Sequence, residues 1–285
     1  MTTVLVTGAT GTIGSLVVRE LQAQGVPVRA FVRDPERAAR LGAAELAVGD
    51  FADPASLRRA MAGVSRVFLS SADGPAKVAH EQAVIDAAAE AGVERIVKLS
   101  AINAQVASPL PAFAWHGDIE RHLNRSGVRA VVLRAGFFMT NLLMLAEGIA
   151  HTGQLFAPAS DGRVAMVHPA DVAAAAAALL TSGGHAGGCY ELTGGEAVSF
   201  AEVADTLAAV TGRPVGFVDL PAQAAQAAFT QGGYPQWLVT HLLGVFALIR
   251  AGRYAQPNDT LRALTGRAPR TIADFAREHA GAFGS

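Results

Sequence analysis

Three glycines stand in Val6-Thr7-Gly8-Ala9-Thr10-Gly11-Thr12-Ile13-Gly14, directly after a short β-branched run and at the start of a helical pattern. That spacing suits the holding of a diphosphate. A turn without a Cβ lets the backbone approach the phosphates, and the first turn of the next helix offers free N–H groups and a positive dipole end. The motif predicts a dinucleotide site built from Gly8, Thr10, Gly11, Thr12, Ile13 and Gly14. About 20 positions further on, an acidic residue would take the ribose 2′-hydroxyl of NAD, and an arginine the 2′-phosphate of NADP. Val32-Arg33-Asp34 occupies that place, and Arg37 follows one helical turn later. Arginine grips phosphate bidentately, so NADPH is expected in preference to NADH; an inward-turned Asp34 would reverse the preference. Asp50, in Gly49-Asp50-Phe51, is placed either to accept from an adenine amine or to cap a helix before Pro54. Phe51, with Ser70, Ser100 and Ala101 at later strand ends, completes the expected cofactor set.

The elements that must carry these residues follow from periodicity. Runs at 4–6, 26–32, 45–48, 66–70, 95–100 and 129–133 read as strands, and 13–24, 77–91 and 112–124 as helices. Strands apolar on both faces and separated by helices predict an α/β fold with a doubly wound parallel sheet of the Rossmann kind. After Ala135 the rhythm loosens. A helix is expected at 171–180, N-capped by Asp171 and stopped by Gly183. A seventh strand is expected at 189–193, a helix at 199–211 with a capping box from Ser199 and Glu202, and a last helix at 271–283. The segment 229–254 is apolar nearly all round and is expected to be a buried helix: a pocket wall, a subunit interface or a lid hinged at Gly232-Gly233. The division expected is a Rossmann core over 1–153 and a mixed region over 154–285. The latter completes the sheet near 188–194 and forms a smaller C-terminal substrate lobe.

Composition excludes other classes. The chain has 285 residues, 51% hydrophobic and 16% charged, and 23 Lys plus Arg against 24 Asp plus Glu leave a net charge of −1. Disorder needs low hydrophobicity and high net charge. Nucleic-acid binding would show a basic excess. The single cysteine, Cys189, excludes an internal disulfide framework and a multi-cysteine metal site, and fits a reducing compartment. The histidines lack metal-ligand spacing, so no metal is expected. No basic leader precedes the first strand, and the apolar stretch 237–249 is shorter than the roughly 20 residues of a bilayer span. A cytoplasmic protein is expected, with no nucleic-acid or membrane partner, as a monomer or a homodimer. The chain holds only two lysines, Lys77 and Lys98, which reads as genomic composition bias.

Further segments carry a family resemblance: Phe31 to Pro35, Lys98-Leu99-Ser100-Ala101, His116-Gly117-Asp118-Ile119-Glu120 and Leu133-Arg134-Ala135-Gly136-Phe137-Phe138-Met139-Thr140-Asn141. Val167-His168-Pro169-Ala170-Asp171-Val172-Ala173 and Leu264-Thr265-Gly266-Arg267 add to them. With the glycine motif, their order and spacing over nearly the whole chain resemble the atypical short-chain dehydrogenase/reductases of the NmrA-like group. That group includes NADPH-dependent quinone reductases, triphenylmethane-dye reductases and redox-sensing proteins with weak or no activity. Mainstream relatives use a Tyr-x-x-x-Lys pair. Here the tyrosines are Tyr190, Tyr234 and Tyr254, and neither lysine lies downstream of them. His116 stands at the matching place, with Glu120 one turn later, and the resemblance puts residue 116 near the nicotinamide or substrate.

Hydride transfer without the tyrosine suits a quinone or an extended conjugated cation, which spreads the added charge. His116 is then the candidate acid or orienting group, or else a helix-surface histidine paired with Glu120. Phe137, Phe138, Met139 and Asn141, after the sixth strand, suit a flat aromatic or quinone-like substrate, or else core packing at a helix start. The function expected is an NADPH-dependent oxidoreductase lacking the Tyr-x-x-x-Lys pair. The alternatives are a non-enzymatic NADP(H) sensor that binds a protein partner, and an epimerase or lyase on the same scaffold.

Overall fold

A computed structural model describes residues 3–42, 45–182 and 187–284. Among the described residues the strands are β1 (Val4–Val6), β2 (Val28–Val32), β3 (Glu45–Val48), β4 (Arg66–Leu69), β5 (Arg95–Ala101), β6 (Arg129–Ala135), β7 (Gln154–Ala157), β8 (Arg163–Val164), β9 (Gly188–Leu192), β10 (Val198–Ser199) and β11 (Gly216–Asp219). The α-helices are α1 (Thr12–Ala23), α2 (Pro54–Met61), α3 (Lys77–Glu90), α4 (Pro111–Arg125), α5 (Ala146–Thr152), α6 (Pro169–Thr181), α7 (Phe200–Thr211), α8 (Ala222–Gln231), α9 (Gln236–Arg250), α10 (Thr260–Thr265) and α11 (Ile272–Glu278). The chain divides into two compact units, Met1–Ala135 with Pro169–Glu191, and Gly136–His168 with Leu192–Ser285. No helix among the described residues is long and apolar enough to cross a membrane.

The first unit is the expected Rossmann sheet. Its seven strands run in the order β3-β2-β1-β4-β5-β6-β9, and the pairings from β3 to β6 are parallel. The order reverses between β1 and β4, which makes the carboxyl ends of those strands the switch point where such folds bind ligands. Leu5, Phe31, Val67, Leu69, Ile96 and Val132 face one layer, formed by Leu57 and Met61 of α2, Val84 and Ile85 of α3, and Ile119 and Leu123 of α4. Strand residues alternate between faces, so Val4 and Val6 point to the other layer, where α1 packs on α6. Helix α6 achieves that packing with buried Ala173, Ala175, Ala176 and Ala177. Its final carbonyls are bound by the sheet: Arg95 donates to Leu179 O at 2.9 Å and to Ser182 O at 2.9 Å, and Arg66 donates to Leu180 O.

Several boundaries differ from expectation for local reasons. The cap before Pro54 is Asp53, which accepts from Ala55 N at 2.9 Å, and Asp50 accepts from Ala52 N in the preceding turn. Helix α6 starts at Pro169, because proline is pre-shaped for a first turn, so Asp171 lies inside that turn rather than at the cap. The expected stop at Gly183 lies outside the described residues.

The second unit pairs β7 with β11 in parallel and β8 with β10 antiparallel. Its core joins Phe137, Phe200 and Phe246, whose ring centroids lie 5.7–6.4 Å apart. The Ser199–Glu202 capping box forms as expected, and a second one joins Thr271 and Asp274. The tail is not one helix. It leaves α11 after Glu278 and closes as a 3-10 turn at Ala280–Phe283. The segment 229–254 is likewise two helices, α8 and α9, broken where Gly233 takes φ +77° and Pro235 follows. Helix α9 is not buried all round. Val239, Val245, Phe246 and Ile249 are buried, while Trp237, Leu238, Leu242 and Leu243 are half-exposed.

Candidate functional site

The glycine loop turns sharply between β1 and α1. Gly8 sits at φ +61°, in the left-handed region, and a Cβ there would stand 2.8 Å from the Ser70 carbonyl oxygen. A Cβ on Gly14 would stand 2.2 Å from the Gly8 carbonyl oxygen. Neither position accepts a side chain, so the turn lies flat against the ends of β1 and β4. Thr7 locks those two ends together: its hydroxyl donates to Ser70 O at 2.8 Å and accepts from Ser70 N at 2.9 Å. Gly11 is the N-cap of α1 and makes no side-chain cap, so nothing of its own covers the first-turn amides. Thr10, Gly11 and Thr12 are exposed and Ile13 half-exposed. This is a cradle shaped for an anion.

A cleft of about 520 Å³ adjoins this loop, lined by Thr10, Ser15, Arg19, Asp34, Glu36, Arg37 and Leu41. Arg33 and Arg37 are both exposed. Asp34 is engaged locally: its Oδ1 accepts from Glu36 N at 2.9 Å and Arg37 N at 3.4 Å, which shapes the turn that presents Arg37. Arg19, on α1, is a cation in this cleft that the pattern of the β2 end did not reveal. Asp50 and Phe51 are half-buried, and the Phe51 ring packs between Phe31 and His80, each at 5.4 Å.

His116 is no helix-surface residue. It is 7% exposed, and its Nδ1 lies 3.1 Å from Lys98 Nζ. Lys98, fully buried in β5, also pairs with Glu81 Oε2 at 2.8 Å and donates to Leu99 O. Glu81, fully buried on α3, receives Lys77 Nζ at 2.9 Å and the Ser71 hydroxyl at 2.8 Å. Lys77 further reaches Asp73 at 3.2 Å and Ser71 O at 3.0 Å. Burial pushes Lys98 down to about 8, against the opposing charge of Glu81. Burial would raise Glu81 too, but Lys98 and Lys77 overcome it and hold the carboxyl below 4.5. Lys77 ends above its usual range, because Glu81 and Asp73 outweigh burial.

Glu120, one turn along α4, accepts from Ser100 Oγ at 2.5 Å and takes a two-pronged grip from Arg134 at 2.6 and 3.2 Å. Ser100 is thus buried and hydrogen-bonded, and Ala101 is half-exposed beside it. The loop after β5 is laid directly on α4 at Gly117, where a Cβ would stand 2.2 Å from the Gln105 carbonyl carbon. Gln105 N also donates to Phe113 O at 3.1 Å. The glycine beside His116 therefore lets the loop lie directly on the helix.

In the second unit, Phe137 and Met139 are core side chains, 7% and 2% exposed. Phe138 and Asn141 are half-exposed. His168 is buried and pairs with Glu278 at 3.2 Å. Among the described residues no group of His, Cys, Asp and Glu could hold a metal ion. The Lys98–Glu81–Lys77 cluster escaped sequence reading, which sought lysine only after a tyrosine. The available signal was a lysine inside the apolar run Ile96-Val97-Lys98-Leu99, which demands a buried counter-charge.

Known proteins resemble this chain over nearly its whole length. An NAD(P)H azoreductase of Xenophilus azovorans is 39% identical over 284 residues, 99% of each chain. The crystal structure of an NADPH-dependent quinone oxidoreductase from Escherichia coli, complexed with NADPH, superposes with a TM-score of 0.88 at 31% identity, covering 96% of this chain and 99% of that one. A Citrobacter sp. triphenylmethane reductase complexed with NADP(H) gives a TM-score of 0.85 at 26% identity, covering 98% and 99%. The model of the NmrA-like family matches residues 1–265. With the family pattern running through both units, this chain belongs to the NmrA-like family.

Proposed function

We propose that this protein is an NADPH-dependent reductase of quinones, dyes and similar conjugated small molecules. The observation that carries the reading is the side-chain-free cradle of Gly8 and Gly14 beneath the open amides of α1. Backbone amides of 8–14 would hold the diphosphate, and Arg37, Arg33 and Arg19 the 2′-phosphate. Asp50 and Phe51 would meet the adenine. Ser70, Ser100 and Ala101 follow the strand ends toward the nicotinamide. When bound, NADPH supplies the hydride. The relatives that support the cofactor and acceptor class are the azoreductase and the NADPH- and NADP(H)-bound reductases.

The chain has no Tyr-x-x-x-Lys pair, and His116 serves as the acid that protonates a quinone or azo acceptor once it has been reduced. Phe138 and Asn141 offer the substrate a ring face and an amide, backed by Phe137 and Met139. The single cysteine supports a reducing, cytoplasmic setting. The test is NADPH oxidation against a panel of quinones, azo dyes and triphenylmethane dyes. Saturable turnover with at least one class supports the reading. Tight NADPH binding with no turnover against any acceptor would overturn it in favour of a redox sensor.

A further inference from the structure

Lys98 occupies the centre of β5, where its neighbours Ile96 and Val97 are buried apolar residues. Strand physics would place valine or leucine there, since a buried ammonium is costly to desolvate. Its side chain instead bridges two helices, to Glu81 of α3 and to His116 of α4. An ammonium has donors and no lone pair, so the contact with His116 has one sense: Nζ donates and Nδ1 accepts. A neutral imidazole whose Nδ1 accepts carries its proton on Nε2.

We propose that Lys98 is the positioning residue behind His116, holding it as the Nε2–H tautomer and replenishing it through Nδ1 when Nε2 gives up its proton. The proposal rests on the reductase reading. Once a neutral acceptor, such as a quinone or an azo compound, has gained hydride it carries one negative charge on oxygen or nitrogen; a cationic dye is neutralised by the hydride and needs no proton. The Nε2–H bond breaks, and that proton goes to the anionic atom. One Nζ–H bond breaks, and its proton goes to Nδ1. His116 ends as the other neutral tautomer and Lys98 as a neutral amine, so one positive charge has moved and the acceptor is neutral. Neither residue changes oxidation state; the nucleotide is oxidised and the acceptor reduced. A solvent proton restores Lys98.

The surroundings suit that role. The charged groups facing Lys98 are Glu81 and Lys77 from α3 and Asp73 from the loop after β4, with His116 on α4. Glu81 keeps Lys98 charged at neutral pH, while burial and Lys77 leave it ready to release a proton near pH 8.

The first test uses the unaltered protein without nucleotide. Long-range ¹H–¹⁵N spectra of histidine side chains at pH 7 should show His116 as a single neutral tautomer, protonated at Nε2, because Nδ1 faces the Lys98 ammonium. An Nδ1–H tautomer, or a fully protonated ring at pH 7, overturns the proposal. The second test is Lys98→Met, checked for folding by melting curve and for NADPH affinity by calorimetry. It should mix the tautomers and lower kcat at least about tenfold, with KM and NADPH affinity within about twofold. The fall of kcat above about pH 8 in the unaltered protein should vanish in the variant. An unchanged kcat with an unchanged alkaline limb overturns the proposal. Failure of the unaltered protein to oxidise NADPH with any acceptor overturns the reductase reading and the proton-supply step, and the spectra then judge the tautomer assignment separately.

Discussion

Gly14 lies so close over Gly8 that a Cβ on it would stand 2.2 Å from the Gly8 carbonyl oxygen. Glycine inside a helix is usually improved by alanine, by roughly 0.5–1 kcal/mol. Here the sign reverses, because the atom that must give way is backbone. Gly14→Ala should destabilise the protein by about 1–3 kcal/mol, as overpacking does. It should also weaken NADPH by about tenfold or more. Denaturant melts and calorimetry on the variant check both effects, and a neutral substitution would mean that the loop does not hold the diphosphate.

Charge at the cleft should set the preference between nucleotides. Arg37 lines it, and Asp34 is occupied with the backbone of the same turn. Arg37→Ala should weaken NADPH about tenfold, the lower range of a charge-assisted contact, and leave NADH nearly unchanged. The difference should shrink with added salt, since the arginine is exposed. Equal losses for both nucleotides would remove Arg37 from the 2′-phosphate.

The buried charge cluster makes stability depend on acid. Glu81 is held below 4.5 in the folded protein, so its contribution is complete above that value and is lost as pH falls through the folded one. Glu81→Gln should remove about 3–5 kcal/mol at neutral pH, because two buried lysines lose their shared partner. It should also flatten the loss of stability on the acid side. Urea midpoints from pH 3 to 7 measure both, and an acid limb as steep as in the unaltered protein would assign that limb to other carboxyls.

Placement of the loop against Gly117, next to His116, should be separable from nucleotide binding. A Cβ at Gly117 would strike the backbone of Gln105, so Gly117→Ala must shift the loop after β5. Turnover with a quinone should fall about tenfold or more, since catalysis is sensitive to small misplacements. NADPH affinity should stay within about twofold. A parallel loss of affinity would show that the loop carries the nucleotide.

The regular half of the chain was legible because each strand and helix repeats one simple pattern. Val4, Leu5 and Val6, buried on both faces, could be little else than a central parallel strand, and the glycine spacing located the switch point. The cluster around Lys98 was hidden because its members, Lys77, Glu81, Lys98 and His116, lie on three elements, and only the tertiary packing of α3 and α4 over β5 brings them together. Helix α9 misled for a related reason: its composition is apolar, but the number of its faces that find a partner is a tertiary property. Arg19 was overlooked because it reaches the cleft from α1, one element before the strand end where cations are usually sought.

Titration of the purified protein with NADPH by calorimetry tests the account most directly. One saturable site per chain is expected, tighter than that for NADH and lost in Gly14→Ala. Absence of saturable heat with either nucleotide, from a folded sample, would contradict it.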